Sequence, residues 1–135
     1  MIECLIIGDS IAVGIHQNRQ ECIRHAQIGI TSQNWNKKFS NINLSANTVI
    51  ISLGTNDYNF VDSKYQLNQL RKKISAKTVI WIMPPIKPHV QLVVKNIAYE
   101  FNDTILTIEQ LSGDKVHPTS REYKNLAEKT KIISW

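Results

Sequence analysis

Apolar residues fall along this chain in short unbroken runs separated by amphipathic stretches. Cys4-Leu5-Ile6-Ile7 runs without alternation and halts at Gly8, which is the pattern of a strand covered on both faces. The run at 48–53 repeats it, rich in β-branched residues and ending at Gly54. The run at 77–83 is stopped by Pro84-Pro85, which cannot donate to a sheet ladder. Residues 22–26 and 104–108 read as two weaker strands, and the first strand covers about residues 3–8.

Between these runs the spacing becomes helical. A helix is expected over about 11–20, weakened by Gly14. A second starts at Thr31 or Ser32 and runs to about Ile42, with Trp35, Phe39 and Ile42 on its core side. A third covers 63–74 behind a cap at Asp62 or Ser63, with Leu67 and Leu70 inward. A fourth runs from Val90 to Phe101, and a last one, capped by Thr119 or Ser120, to about residue 131. Strands alternating with helices imply an α/β three-layer sandwich around a five-stranded parallel sheet. The strand order is not written in the sequence; the flavodoxin-like order 2-1-3-4-5 is the expectation.

Composition narrows this picture only slightly. A chain of 135 residues, 42% hydrophobic and 20% charged, fits one globular domain over 1–135. No apolar run approaches the roughly 18–20 residues that span a membrane, and the first residues do not read as a signal peptide. Cys4 and Cys22, the only cysteines, indicate neither a disulfide framework nor a zinc site. Cys4 reads as a small buried apolar residue, and a cytoplasmic, reducing location is the default. Release by lysis or within a larger particle stays open. The net charge of +5 would favour anionic partners. Its clusters, Lys37-Lys38 and Arg71-Lys72-Lys73, lie on expected amphipathic helices, so they read as solvated faces and imply no specific nucleic acid.

The polar residues that stand out lie just after strands, at the sheet edge where open α/β folds bind ligands. They are Gly8-Asp9-Ser10, Gly29, Gly54-Thr55-Asn56-Asp57 and Asp114-Lys115-Val116-His117. Each has a plain alternative. Asp9 or Ser10 could cap a helix, Asn56 and Asp57 could be turn residues, and Asp114 and His117 could end a loop. Together they supply a chemistry. A serine hydroxyl needs a base, and histidine is the side chain that ordinarily titrates near neutrality. Asp114, three residues before His117, could orient the imidazole. Backbone N–H groups of Ser10 and Gly29 and the amide of Asn56 could hold an oxyanion. Asp9, Thr55 and Asp57 read as loop scaffolding. His16, His25 and His89 have no partners at metal-ligand spacing, so no metal is expected. Trp35 and Trp81 read as core, and Trp135 carries no pattern.

In their order and their places after strands, these blocks resemble the SGNH (GDSL-type) hydrolase superfamily across nearly the whole chain. The resemblance implies a catalytic Ser10, Asp114 and His117, an oxyanion hole of Ser10, Gly29 and Asn56, and no cofactor. It implies a serine esterase working through an acyl-enzyme. The short chain leaves little room for a lid, which suits a small acyl group on a large alcohol, such as an O-acetylated glycan. A lysophospholipase or thioesterase is the alternative within the class. A non-catalytic glycan- or protein-binding module is the alternative outside it. A flavin-binding protein is disfavoured, because the first loop lacks a run of phosphate-holding hydroxyls. The natural substrate, oligomeric state and source are not legible.

Overall fold

The computed structural model describes residues 2–134; Met1 and Trp135 lie outside them. Five strands and five helices alternate: β1 (Cys4–Gly8), α1 (Ser10–Gln17), β2 (Ile23–Ala26), α2 (Ser32–Lys38), β3 (Ser45–Ser52), α3 (Ser63–Lys73), β4 (Ser75–Ile82), α4 (Pro88–Phe101), β5 (Thr104–Leu106) and α5 (Ser120–Ile133). The strands form one sheet in the order β2-β1-β3-β4-β5, every pair parallel. This is the expected α/β fold with the expected order.

Alternation along each strand builds two cores. Leu5, Ile7, Val49, Ile51, Val79 and Trp81 face α2, α3 and α4. Ile6, Ile50, Ile80 and Ile82 face α1 and α5 through Ile11, Ile15, Leu126 and Ala127. Trp35 and Trp81 are fully buried. Side-chain caps start the helices where the sequence offers them: Thr31 accepts from the Asn34 N–H, Asp62 from Tyr65 and Thr119 from Glu122. Gly14 costs α1 some intrinsic helicity but lets α5 approach. A Cβ there would lie 2.3 Å from the Tyr123 ring.

Several expectations are corrected. α1 ends at Gln17 and α2 at Lys38, short of the expected ends, and β5 stops at Leu106. β3 begins at Ser45, because Ser45 and Ala46 pair with Ser75 and Ala76 of β4 despite modest strand propensity. Arg71 does not belong to a solvated face. It is buried, forms a two-pronged ion pair with Asp103 at 2.7 and 2.9 Å, and lies over the Phe101 ring. Cys4 and Cys22 are joined in a disulfide. The pairing of Leu5 with Ile23 sets their neighbours Cys4 and Cys22 side by side at the start of β1 and β2. The crosslink removes the ground for expecting a reducing compartment, which was two unpaired cysteines. Among the described residues no helix is long and apolar enough to cross a membrane.

Candidate active site

Parallel pairing brings the strand ends to one edge. Gly8 stands opposite Ala26 on one side and Ser52 on the other, so the loops that follow β1, β2 and β3 leave the sheet together. Gly8 adopts φ +142, and a Cβ there would sit 1.8 Å from the Ser52 carbonyl oxygen; only glycine lets β1 exit this close to β3. The exit is fixed by hydrogen bonds from the Asp9 N–H to Ser52 O (2.9 Å) and from Gln27 N–H to Gly8 O (3.0 Å).

Asp9 and Ser10 then divide the two roles that the sequence left open. Asp9 caps α1, its Oδ1 accepting from the Ile11 N–H at 3.1 Å and from the Ser52 hydroxyl at 3.0 Å. Burial pushes its carboxyl up to about 6, against the pull of the Ser52 hydroxyl and the Ile11 N–H. Ser10 is the first residue of α1, where backbone N–H groups lack intrahelical acceptors. Its side chain is half-buried and free of capping duty.

Asp114 and His117 reach Ser10 from the far end of the chain. After β5 the backbone folds into a small hairpin in which Leu111 pairs with Pro118. Ser112 and His117 are joined at 2.8 Å, and Thr119 N–H donates to Gln110 O at 3.1 Å. The buried Glu122 carboxylate ties the hairpin's base to α5 by accepting from the Glu109 N–H. At the tip Lys115 takes the left-handed conformation, φ 59, which turns the chain so that Asp114 and His117 face one another.

The resulting relay is continuous. Ser10 Oγ lies 2.9 Å from His117 Nε2, and His117 Nδ1 lies 2.6 Å from Asp114 Oδ2. A carboxylate can only accept, so Nδ1 carries the imidazole proton and Nε2 is left to accept from the serine hydroxyl. Asp114 Oδ1 takes three further bonds at 2.9 Å, from the Ser112 hydroxyl and the Val116 and His117 N–H groups. The His117 imidazole, then the Val116 and His117 N–H groups and the Ser112 hydroxyl, hold this carboxyl well below the usual range. It is ionised wherever the imidazole needs it. The pair is open to solvent, with side chains 43% exposed at His117 and 50% at Asp114.

The other candidate oxyanion donors lie on the loops after β2 and β3, which leave the sheet at the same edge as Ser10. Asn56 follows β3 through Gly54, which takes φ +109 and where a Cβ would lie 2.5 Å from Val90 Cγ1. One N–H of its amide donates to Ile30 O at 3.1 Å, and the second has no partner among the described residues. Gly29 sits in the turn closed by Ile30 N–H and Gln27 O at 3.3 Å. It takes φ +78, and a Cβ there would meet no atom within 4 Å, so the space around it is open. Thr55 is buried, but its hydroxyl has no hydrogen-bond partner among the described residues.

The sequence reading passed over several neighbours of this site. Ser32, Ser63 and Lys87 all bond to Asp57, across 25, 6 and 30 residues. Ile28, Tyr58 and Phe60 are exposed beside Gly29 and Asn56, the two rings 6.5 Å apart. Large apolar residues inside polar loops were their signal. Cavities of about 640 Å³ between α3 and α4 and about 410 Å³ at the N-terminal edge of the sheet are lined by none of Ser10, Asn56 or His117.

No family model matches the chain, and no curated protein matches it. Solved structures do. A Bacteroides fragilis protein assigned as an acylhydrolase superposes with a TM-score of 0.71 at 19% identity, covering 98% of this chain and 86% of that one. A Parabacteroides merdae protein assigned as a GDSL-like lipase gives 0.69 at 12% identity, over 98% and 95%. The C-terminal catalytic domain of Streptococcus pneumoniae peptidoglycan O-acetyltransferase A, carrying a methylsulfonyl adduct, gives 0.63 at 20% identity, over 98% and 92%. The chain has the SGNH (GDSL-type) hydrolase-like fold.

Proposed function

We propose that the protein is a serine esterase that works through an acyl-enzyme. The observation that carries this reading is the unbroken relay of Ser10, His117 and Asp114, at 2.9 and 2.6 Å. Ser10 Oγ attacks the ester carbonyl while His117 Nε2 takes its proton. The Asp114 carboxylate stabilises the imidazolium that results. Negative charge develops on the former carbonyl oxygen, where the Ser10 and Gly29 N–H groups and the second Asn56 amide hydrogen receive it. His117 returns the proton to the departing alcohol. Water, activated by the same imidazole, then releases the acid.

The solvent-open triad supports a small acyl group on a large alcohol, since a long acyl chain needs a deep apolar pocket. The exposed Tyr58 and Phe60 rings beside Asn56 suit a ring-bearing alcohol such as a sugar. An O-acetylated glycan is the substrate class we favour, over a lysophospholipid or thioester. The Cys4–Cys22 crosslink fits work in oxidising surroundings, against the default cytoplasmic location. The likeness to an O-acetyltransferase domain raises a second fate for the acyl-enzyme, transfer to a sugar hydroxyl in place of water.

The test is hydrolysis of p-nitrophenyl esters from acetate to decanoate, with Ser10→Ala as control. Turnover confined to short chains and abolished in Ser10→Ala is expected. Equal rates in the two proteins would leave a binding module as the better reading. A peak at long chains would overturn the substrate class alone. Acetyl transfer to a sugar acceptor, in competition with hydrolysis, would identify the transferase.

A further inference from the structure

Asp57 is a fully buried carboxylate with no step in the proposed chemistry. Its Oδ1 accepts the Ser32 N–H at 2.8 Å, and its Oδ2 accepts the Ser32 hydroxyl at 2.7 Å and the Ser63 hydroxyl at 2.6 Å. Its own N–H donates to Gly54 O at 3.1 Å, and its carbonyl accepts from the Lys87 ammonium. Ser32 and Ser63 are the first residues of α2 and α3. One side chain thus joins the starts of two helices to the loop after β3.

The neighbouring side chain reaches the same place. Asn56 donates to Ile30 O at 3.1 Å, two residues before Ser32. Consecutive residues therefore make consecutive rungs between two loops: Asn56 to Ile30, and Asp57 to Ser32. Gly29 precedes the first rung directly. The two rungs tie the Gly29 loop to the Asn56 loop directly, beside the buried Ile30 side chain and the Gln27 N–H to Gly8 O bond that hold the Gly29 loop to the core and the sheet. A buried carboxylate is costly unless several donors satisfy it. Three donors do so here, two of them from Ser32, so a displacement of Ser32 would leave the buried carboxylate with one.

We infer that Asp57 is a positioning residue for the oxyanion hole, fixing the Gly29 and Asn56 donors relative to each other through Ser32. This rests on the esterase reading above for its catalytic consequence, but its geometric content stands without it. Misplacement of a donor by about 1 Å costs on the order of 10²-fold, and outright loss of one costs about 10²–10³-fold. Asp57→Asn, Ser32→Ala and Ser63→Ala separate the contributions. Ser63→Ala removes the bond to α3 only, whereas Ser32→Ala removes one of the two bonds on the Gly29 side and keeps the Ser32 N–H rung.

Two measurements on the full chain test the inference. In kinetics with p-nitrophenyl acetate, Asp57→Asn and Ser32→Ala should lower kcat by roughly 10- to 100-fold with KM nearly unchanged. Ser63→Ala should do less. In an Asn56→Ala background the Asp57→Asn effect should be several-fold smaller than in the wild type, since one of the two donors whose spacing it sets is already gone. In ¹H–¹⁵N spectra, the Asn56 side-chain amide and the Gly29 amide should both move in Asp57→Asn and Ser32→Ala while distant core amides stay fixed. A folded Asp57→Asn protein with both resonances unmoved would overturn the inference, whether or not the wild type turns over esters. Independent, additive losses in the double variant would overturn it as well. A wild type without Ser10-dependent turnover, but with the spectral coupling intact, would instead sink the esterase reading alone.

Discussion

Asp9 links the fold to pH in a direction opposite to most carboxylates. Its side chain is almost wholly buried, and burial lifts its ionisation from the ordinary 3.8 to about 6. Oδ1 is satisfied by Ile11 and Ser52, while Oδ2 receives no hydrogen bond among the described residues. Between pH 3.8 and 6 the folded chain keeps a proton that the unfolded chain has released. Stability must therefore fall as pH rises through that window. The rise to about 6, at about 1.36 kcal/mol per pH unit, amounts to about 3 kcal/mol in full. Roughly 2 kcal/mol of it should be lost between pH 4 and 7.

Asp9→Asn isolates this contribution. The amide oxygen can keep both Oδ1 bonds, the amide nitrogen takes the position of the unbonded Oδ2, and the residue no longer titrates. Urea unfolding at pH 4, 5, 6 and 7, followed through the buried Trp35 and Trp81, gives the free energies for both proteins. The wild-type value minus the Asp9→Asn value should drop by roughly 2 kcal/mol across the series. Asp114 behaves oppositely: its depressed carboxyl stabilises the fold above pH 3.8 and loses that effect as pH falls further. It is common to both proteins and cancels in the difference. A difference that stays flat with pH, or rises, would refute the account of Asp9 as a burial-strained carboxyl.

Asp114→Asn should leave the fold intact but present an N–H to His117 Nδ1, forcing the wrong tautomer. Loss of kcat by roughly 10²–10⁴-fold is expected in ester hydrolysis, and a loss under tenfold would contradict the relay. Reducing the Cys4–Cys22 crosslink, or replacing both residues with Ala, should cost about 3 kcal/mol for a separation of 18 residues. Activity at low temperature should survive, because the crosslink sits at the opposite end of β1 from Ser10; calorimetry and turnover read the two effects separately. Asp103→Ala should cost about 3–5 kcal/mol by stranding the buried Arg71 guanidinium, with Arg71→Met partly restoring the double variant in chemical denaturation. Gly8→Ala should fail to fold or lose several kcal/mol, since its Cβ would collide with the Ser52 carbonyl.

What could be read from the sequence was local or periodic. The central strands announced themselves as unbroken apolar runs, and Thr31, Asp62 and Thr119 marked their helices by the ordinary chemistry of caps. The candidate triad was legible because its members follow strands, and a parallel sheet sends all such loops to one edge. What escaped depended on pairs distant in sequence. Arg71 looked like one cation in a basic run because Asp103 lies 32 residues away. Ser32 looked like a helix start because Asp57 lies 25 residues away.

The disulfide shows how far one global fact reaches. The cysteines carry no spacing signal, yet the expected order set β2 beside β1. Given that order, the register of Leu5 with Ile23 makes Cys4 and Cys22 neighbours, 4.8 Å apart at Cα. Topology converts a separation of 18 residues into adjacency, just as it converts the 107 residues between Ser10 and His117 into a hydrogen bond. The same sheet thus ties its two ends differently. The N-terminal edge is closed by a covalent bond. The C-terminal edge is held by carboxylates, Asp9, Asp57 and Asp114, each collecting donors from a different loop. Those carboxylates sit in three environments, and their neighbours differ accordingly: burial opposes ionisation at Asp9, three donors satisfy Asp57, and an open imidazole pairs with Asp114. An edge organised this way should respond to pH through Asp9 and to substitution through Asp57, while the Asp114 carboxylate that orients His117 stays ionised.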